Sequence, residues 1–254
     1  GMNPGNESMW LSLSSDKDAR SRGAPSRFEA HLTPWWGPPS ELTYRNNEIA
    51  LGMGYDILRL QGMKSSLVID GEEYEGTAYF QKVTVQAPSV PWFWGMLHFD
   101  DGSYLDWFMP HITPLSSAKD DKPWRNRDTF RVPLKRAGVF HDRVRGRTEE
   151  FDNCEVDLSK SDQGLLDPQG NLLPNFSIKL WNENSSVSLG IRAVSRARWT
   201  FDQPTRGGLV SHLTYNEYPF EVSSILITDK EGTRSLDDYQ WIHGNAEHSW
   251  GFLH

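Results

Sequence analysis

The chain has 254 residues, enough for one large β domain or two of modest size, and a formal net charge of −8 at pH 7. The acidic balance argues against general nucleic-acid binding, and no apolar run reaches the length of a membrane span. The single cysteine, Cys154, excludes an internal disulfide and favours a reducing compartment. Residues 2–30 lack the apolar core of a signal peptide. We therefore expect a soluble protein, cytoplasmic rather than periplasmic or secreted, whose oligomeric state stays open.

The patterning along the chain is that of short strands. Residues 1–27 are rich in Ser, Gly, Pro and charge and are interpreted as an N-terminal tail. From residue 28 onward, segments with period-2 alternation follow one another between turn signals. These turns are predicted at Asp70-Gly71, Asp101-Gly102, Pro168–Gly170, Asn182–Ser185 and Lys230–Gly232. A helix over 45–60 is the one alternative, and its two glycines argue against it.

The succession of strands and turns predicts an all-β protein built from antiparallel barrels or barrel-like sandwiches. A Pro- and charge-rich stretch in the middle interrupts the pattern and is interpreted as a connection. The predicted organisation is a tail at 1–27, a first β domain at 28–118, a linker at 119–139 and a second β domain at 140–254.

The stretch "WFWGMLHFDDGSYLDWFMPH", residues 92–111, is the most informative hairpin. Alternation places Trp92, Trp94, Met96 and His98 on one face of its first arm. One face of its second arm carries Tyr104, Asp106 and Phe108. This wall is typical of a filled core as well as of a ligand pocket, and alternation alone does not separate the two.

Several motifs of this region together resemble the lipocalin-like AttH and carotenoid 1,2-hydratase (hydroxyneurosporene synthase) family. The resemblance covers residues 50–110 and, more weakly, the C-terminal "HGNAEHSWGFL". It rests on a strand pair around Asp70-Gly71, a G-x-A-Y strand, a W-x-W-G strand and an acidic-Gly turn. In this sequence those motifs are Gly62, Asp70-Gly71, Tyr74, Gly76, Ala78-Tyr79, Trp92-Phe93-Trp94-Gly95 and Asp101-Gly102.

The resemblance implies two lipocalin-like barrels packed together, with a hydrophobic ligand between or inside them. It also implies acid-assisted addition or cyclisation at a carbon–carbon double bond of an isoprenoid or polyene, without a cofactor. Where the hydratases have a His-x-Trp motif, this chain has Gln81-Lys82-Val83. Their Tyr-x-Asp motif corresponds to Tyr104-Leu105-Asp106. Half of the catalytic set of the hydratases is therefore missing, and the resemblance does not extend to carotenoid hydration in particular.

Asp106 is the predicted catalytic acid and Tyr104 its hydrogen-bonding helper. Protonation of an alkene needs an acid held in an apolar pocket, because burial penalises the charged carboxylate. Asp106 lies mid-strand among aromatic residues, where a carboxylate is either a pocket acid or the solvent side of an edge strand. Tyr104 either assists the acid or closes the barrel rim.

The ligand wall is predicted from aromatic and polar residues near this acid. Trp92 and Trp94 share a face and either stabilise a developing carbocation or fill the barrel. His98 extends that face with a group that titrates near neutrality. His248 and Trp250 share a strand face near the C-terminus, and the resemblance adds Tyr79 and Gln81. His243 and His248 are five residues apart, which suits neither strand nor helix spacing, so no metal site is predicted.

Three hypotheses about function follow. The first is an enzyme that acts without a cofactor on a hydrophobic isoprenoid or polyene-like molecule, by hydration, cyclisation or isomerisation. The second is a binding protein for an apolar ligand that performs no catalysis. The third is a structural or interaction module with filled barrels.

Overall fold

The computed structural model describes residues 8–35, 42–50, 53–86, 90–113, 131–204, 208 and 210–253. The fold is all-β, as the sequence predicts, and consists of curled antiparallel half-barrel sheets. The chain divides into two compact units, Gly1–Ala87 and Pro88–His254. In the described part of the chain no helix has the length and apolarity needed to cross a membrane.

The described part of the first unit is a five-stranded sheet centred on one long strand. Its strands are β1 (Met9–Ser14), β2 (Arg27–Pro34), β3 (Leu42–Ala50), β4 (Met53–Ile69) and β5 (Glu72–Gln86). Strand β4 pairs with β5 along its length, with β3 over its first half and with β2 over its second half. The β4–β5 hairpin turns at Asp70-Gly71 as predicted, and both turn residues have a positive φ, 51° and 93°. Asp and Gly tolerate this left-handed conformation.

The segment predicted as a tail is partly ordered into structure. Strand β1 pairs with β2 in antiparallel register. Between them lies a short helix, α1 (Lys17–Ser21), whose first turn is capped by the Asp16 carboxylate accepting from the Ala19 N–H at 2.7 Å. Residues 8–27 are therefore a strand, a helical turn and a connection. Polar composition hid this because β1 is exposed on almost its whole length.

Within its described residues, the second unit contains twelve strands in one sheet. They are β6 (Trp92–Phe99), β7 (Tyr104–Ile112), β8 (Val132–Pro133), β9 (Ala137–Asp142), β10 (Arg147–Phe151), β11 (Asn153–Lys160), β12 (Pro174–Trp181), β13 (Ser186–Ala193), β14 (Ala197–Pro204), β15 (Val210–Asp229), β16 (Gly232–Ser235) and β17 (Ile242–Leu253). The main path runs β10-β9-β7-β6-β17-β15-β13-β12-β11. In addition, β14 and β16 pair with β15, and β8 pairs with β7. A 3-10 turn, Leu236–Asp238, follows β16.

The predicted turns at Asp101-Gly102, Asn182–Ser185 and Lys230–Gly232 join β6–β7, β12–β13 and β15–β16. The predicted turn at Pro168–Gly170 is closed by a bridge between Leu166 and Leu172. Each confirmed turn joins two segments that are neighbours in the sequence, which is why local patterning finds it.

The compact units differ from the predicted domains. The hairpin 92–111 falls in the second unit because β6 pairs with the C-terminal strand β17, and β7 pairs with β9. Residues 114–130, which include most of the predicted linker 119–139, lie outside the described residues. The rest of that linker runs into strands β8 and β9, which both pair with β7.

The core of the second unit lies on one face of the curled sheet, which we call the core face. Strand β11, at one end of the strand order, packs against β7 and β9, so the sheet curls back on itself. Phe93, Leu97, Leu105 and Trp107 pack there against side chains of β11, β12 and β13. Cys154 is a free thiol within this cluster. The side chains on the inside of the curl thus form a packed core.

Candidate functional site

The opposite face of the same sheet, which we call the outer face, carries most of the chemically active side chains. Successive side chains on a strand point to opposite faces, and directly paired residues share a face. Since Phe93 and Leu105 belong to the core, Trp94 and Asp106 point outward. The register then places Glu247 opposite Trp94, and Glu217 opposite Glu247. Four neighbouring strands, β7, β6, β17 and β15, therefore present one continuous surface.

Glu217 and Glu247 form a carboxyl pair at the centre of this surface. Glu247 is 4% exposed and Glu217 is half-buried. The indole N–H of Trp92 donates to Oε2 of Glu247 at 2.8 Å, and the Tyr215 hydroxyl donates to Oε1 of the same carboxyl. The Asn245 amide donates to Oε2 of Glu217. These donors fix both carboxyl groups in position.

Burial and the neighbouring acid make the pair hold a proton. Burial, and then the negative charge of Glu217, raise the pKa of Glu247 to about 8, against the opposing bonds from Trp92 and Tyr215. Burial also raises the pKa of Glu217. Two adjacent buried carboxyl groups cannot both ionise at low cost, so the protons leave in coupled steps. At neutral pH the pair retains one proton, which is the state a general acid requires.

Tyr215 and Trp92 complete the site as an aromatic frame. Their ring centroids are 5.6 Å apart in an edge-on arrangement. Burial, and then the charges of Glu247 and Glu217, raise the pKa of the Tyr215 hydroxyl far above its ordinary value. Tyr215 therefore remains a neutral donor. The faces of these rings can stabilise a cation that forms beside the carboxyl pair.

The predicted acid, Asp106, lies on the same outer face and is 5% exposed. It is paired with Met96 on one side and Val139 on the other. By strand spacing its Cα is roughly 11 Å from that of Glu247, two strands away. Tyr104 is buried as well, and its ring stacks on that of His141 at 5.2 Å. Asp106 is therefore not on the solvent side of an edge strand.

Trp92, Trp94 and His98 share the outer face with the carboxyl pair, in the arrangement that alternation predicts. Trp94 and His98 are buried, and Trp92 is half-buried. Trp94 lies directly opposite Glu247, and His98 lies opposite both Tyr104 and His243. The structure thus brings five of the predicted site residues, Tyr104 and Asp106 included, onto one surface.

His248 and Trp250 are not brought to that surface. Both lie on the core face, where the His248 ring stacks on Phe93 at 4.3 Å and contacts Trp250 at 5.1 Å. Phe93 is also stacked by His111, and the Arg131 guanidinium lies 5.0 Å from its ring centroid. One sheet separates this cluster from Asp106 and Glu247. His248 and Trp250 were predicted because they share a strand face. Strand alternation does not determine which of the two faces of the sheet that is.

Tyr79 and Gln81 belong to strand β5 of the first unit. Ala78 and Phe80 pack on the small core cluster of that unit, so alternation turns Tyr79 and Gln81 to its other face. The Gln81 side-chain oxygen accepts from Nε of Arg59 at 2.7 Å. Both residues remain predicted ligand contacts.

Four residues of this site were not among the candidates predicted from the sequence: Tyr215, Glu217, Asn245 and Glu247. The signal was present: Tyr215-x-Glu217 repeats the Tyr104-x-Asp106 spacing within another aromatic-rich strand. What local patterning lacks is the pairing of β15 with β17, which alone brings Glu217 and Glu247 together. Among the described residues, no group of three or more His, Cys, Asp or Glu side chains is arranged to hold a metal ion.

Comparisons with known proteins give one structural similarity. No protein-family model and no curated protein matches the chain. A solved structure, kievitone hydratase from Nectria haematococca, is similar with a TM-score of 0.41 and 12% identity. The similarity covers 95% of this chain and 64% of that chain. At this level it assigns neither residues nor an activity to the present protein.

Proposed function

We propose that the chain is an enzyme that needs no cofactor and protonates a carbon–carbon double bond of a small hydrophobic molecule of the isoprenoid or polyene type. The proton comes from the Glu217–Glu247 pair. The observation that carries the proposal is the adjacent Glu217–Glu247 pair, in which the buried Glu247 carboxyl accepts from Trp92 and Tyr215 and has its pKa raised to about 8. The substrate class follows the family that the sequence resembles.

The proposed step is balanced by simple proton transfer. The π electrons of the alkene take the proton from the carboxyl pair, so a C–H bond forms while an O–H bond breaks. A carbocation and a carboxylate remain. Attack by water, followed by proton loss, gives a hydrated product. Loss of a proton from a neighbouring carbon, with or without ring closure, gives an isomer and restores the pair.

The aromatic side chains of the outer face suit this intermediate. The carboxyl pair is flanked by Trp92 of β6 and Tyr215 of β15, whose rings contact each other. Trp94 of β6 lies directly opposite Glu247 in the register. Ring faces attract cations through their quadrupole, more strongly when water is excluded. The buried position of Glu247 and Trp94 favours exclusion of water.

Asp106, with Tyr104, is the second candidate for the proton donor in this proposal. It shares the outer face and its burial supports a role as an acid. The Glu217–Glu247 pair is favoured because its hydrogen-bond donors are defined and the pKa of Glu247 is raised to about 8. Asp106→Asn distinguishes the two: it abolishes turnover only if Asp106 is the acid.

A structural or interaction module without a ligand is the competing function. The packed core of the second unit favours it, because the inside of the curl is filled by side chains. A structural role gives no reason for enclosing two adjacent carboxyl groups. Their enclosure lowers stability, so it is expected where the pair serves a function.

The experiment is turnover in D2O. The protein is incubated with squalene, geranylgeraniol and a prenylated phenol, and extracts are examined by mass spectrometry. A carbon-bound deuterium in the product, one per turnover, is expected from the wild type. Glu247→Gln should lower turnover by at least about 10²-fold. Glu221→Gln, an exposed carboxyl on the same strand as Glu217, is the matched control and should be unchanged.

Two results would count against the proposal. Deuterium incorporation at the wild-type rate in Glu247→Gln would remove the pair as the proton source. Binding of the probes without any carbon-bound deuterium would instead identify a binding protein.

A further inference from the structure

The outer face does not end at the carboxyl pair, because strand β14 extends it beyond β15. Trp199 pairs directly with Tyr215, and Phe201 pairs with Leu213, so both rings lie on the outer face. Residues of β14 that alternate with them, Arg198, Thr200 and Asp202, are polar and belong to the other face. The aromatic character of β14 is therefore confined to the surface that holds the candidate site.

Trp199 is unusually exposed for its type. Its side chain is 68% exposed, although it sits next to the half-buried Tyr215. Its ring contacts that of Phe201 with centroids 5.1 Å apart. Trp199 is exposed and Phe201 is half-buried, and an aromatic pair of this kind beside a buried polar site is stabilised when an apolar ligand covers it.

The aromatic residues form a graded path toward the acid. Phe201 and Trp199 lie at the exposed strand, Tyr215 and Trp92 follow half-buried, and Glu247 lies buried at the end. Along β15, the four residue steps from Leu213 to Glu217 span roughly 13 Å. A ligand that contacts both ends must be extended over that length.

We propose that Trp199 and Phe201 form a distal binding subsite for the apolar tail of an elongated prenyl chain whose reacting double bond lies at Glu217 and Glu247. The chemical class of this ligand rests on the proposed function. The ligand is a single small molecule, because the aromatic path is continuous with the candidate site. Planar or unsaturated chains pack well against ring faces. Trp199 and Phe201 are specificity residues here and take no part in proton transfer.

The proposal predicts that loss of the Trp199 ring weakens binding of long ligands more than binding of short ones. Geraniol and geranylgeraniol carry the same hydroxyl head and differ in chain length. An extended geranylgeraniol chain spans the roughly 13 Å from the carboxyl pair to the far end of the Trp199–Phe201 pair, whereas geraniol is shorter than this span. Trp199→Ala should therefore weaken binding of geranylgeraniol by about tenfold and affect geraniol binding much less. Trp199→Phe, which keeps a ring, should restore most of the loss.

The test is equilibrium dialysis of the full chain with each alcohol, with Trp10→Ala as the matched control. Trp10 is 50% exposed on β1 of the first unit and should not affect either alcohol. Unchanged binding of geranylgeraniol in Trp199→Ala, or no binding of either alcohol to the wild type, overturns the subsite. Light scattering is recorded in parallel, because a dimer that becomes a monomer in Trp199→Ala would show that a second copy covers this surface instead.

The assay is independent of catalysis. Dialysis measures binding alone, so selective loss of the long alcohol without deuterium incorporation in D2O would uphold the subsite and reject the proposed reaction. Deuterium incorporation with no effect of Trp199→Ala on binding would support the proposed reaction and reject the subsite.

Discussion

Glu247 takes its chemistry from the strands around it. Its carboxyl group accepts from Trp92 of β6 and Tyr215 of β15, and lies opposite Glu217. None of these neighbours is close to it in the sequence. By contrast, the place of Asp106 on the same face as Tyr104 was predictable, because strand alternation within one hairpin determines it. The burial of Asp106 was not, since it depends on the pairing of β7 with β9.

The Trp92 indole offers a direct test of what sets the acidity of Glu247. Its N–H stabilises the charged carboxylate, so Trp92→Phe should raise the pKa of Glu247 further, by roughly one unit. The pH at which Glu247 loses its proton then increases. NMR of protein labelled with 13C in the glutamate carboxyl groups measures this titration.

Trp241→Phe is the control for that experiment, since the Trp241 ring stacks on His243 at 5.0 Å and touches neither glutamate of the pair. It should leave the titration unchanged. A shift of the titration to lower pH in Trp92→Phe would show that the indole does not stabilise the carboxylate.

Among the elements, hairpins with tight turns were predictable and long-range pairing was not. The Asp70-Gly71 and Asp101-Gly102 pairs predict their hairpins because Asp70, Gly71 and Gly102 adopt a left-handed turn backbone that most residues avoid. The twenty residues of β15 contain no such signal, and the strand changes partners along its length, from β14 and β17 to β13 and β16. The division into compact units also depends on long-range pairing, since β17 pairs with β6 from the far end of the chain.

Gly95 of β6 allows the Trp107 ring of β7 to lie flat across the hairpin on the core face. A Cβ at Gly95 would lie 2.1 Å from Cζ2 of Trp107. Gly95→Ala should therefore lower the free energy of unfolding by about 1–3 kcal/mol through overpacking. Chemical denaturation measures the change.

Gly76→Ala in β5 is the matched control. The nearest atom to its added Cβ is the Ser65 hydroxyl at 3.3 Å, a small side chain that can move. A cost at Gly95 no larger than at Gly76 would mean that Trp107 is free to repack.

A buried ion pair anchors the connection between β11 and β12. Arg196 donates to Oδ2 of Asp167 at 2.7 Å and to the Asn216 side-chain oxygen at 2.8 Å, and both charged side chains are almost fully enclosed. Asp167→Asn leaves the guanidinium buried without its counter-charge and should lower the free energy of unfolding by about 3 kcal/mol. Asp162→Asn, at an exposed carboxyl in the same connection, should cost much less.

The pH dependence of this effect has a defined sign. Burial by itself raises the pKa of Asp167, but the bonds from Asn171 and Arg196 outweigh it, and the net pKa is lowered. The carboxylate therefore stabilises the fold above its unfolded pKa, and this contribution is lost as the pH falls through the folded pKa. The difference between wild type and Asp167→Asn should narrow in acid, and a constant difference would argue against an ionised Asp167.

At the scale of the whole molecule, the two units have very different cores. The second unit has an extensive cluster of buried side chains, whereas the core cluster described in the first unit has three buried members, Met9, Leu60 and Met63. Since stability follows the apolar area buried, a fragment of residues 88–254 should unfold cooperatively, and a fragment of residues 1–87 should not. Thermal circular dichroism of both fragments measures this, and a sharp transition in the shorter one would contradict it.

The measurement that tests the account most directly is the protonation of the Glu217–Glu247 pair in the intact protein. Infrared difference spectra between the wild type and Glu247→Gln, recorded as the pH is raised, detect the carbonyl stretch of a protonated carboxyl group without any substrate. We expect one buried protonated carboxyl in the wild type that persists through neutral pH, ionises near pH 8 and is absent from Glu247→Gln. Complete ionisation of all carboxyl groups by about pH 6 would mean that this face holds no acid at neutral pH, and would contradict the proposed chemistry.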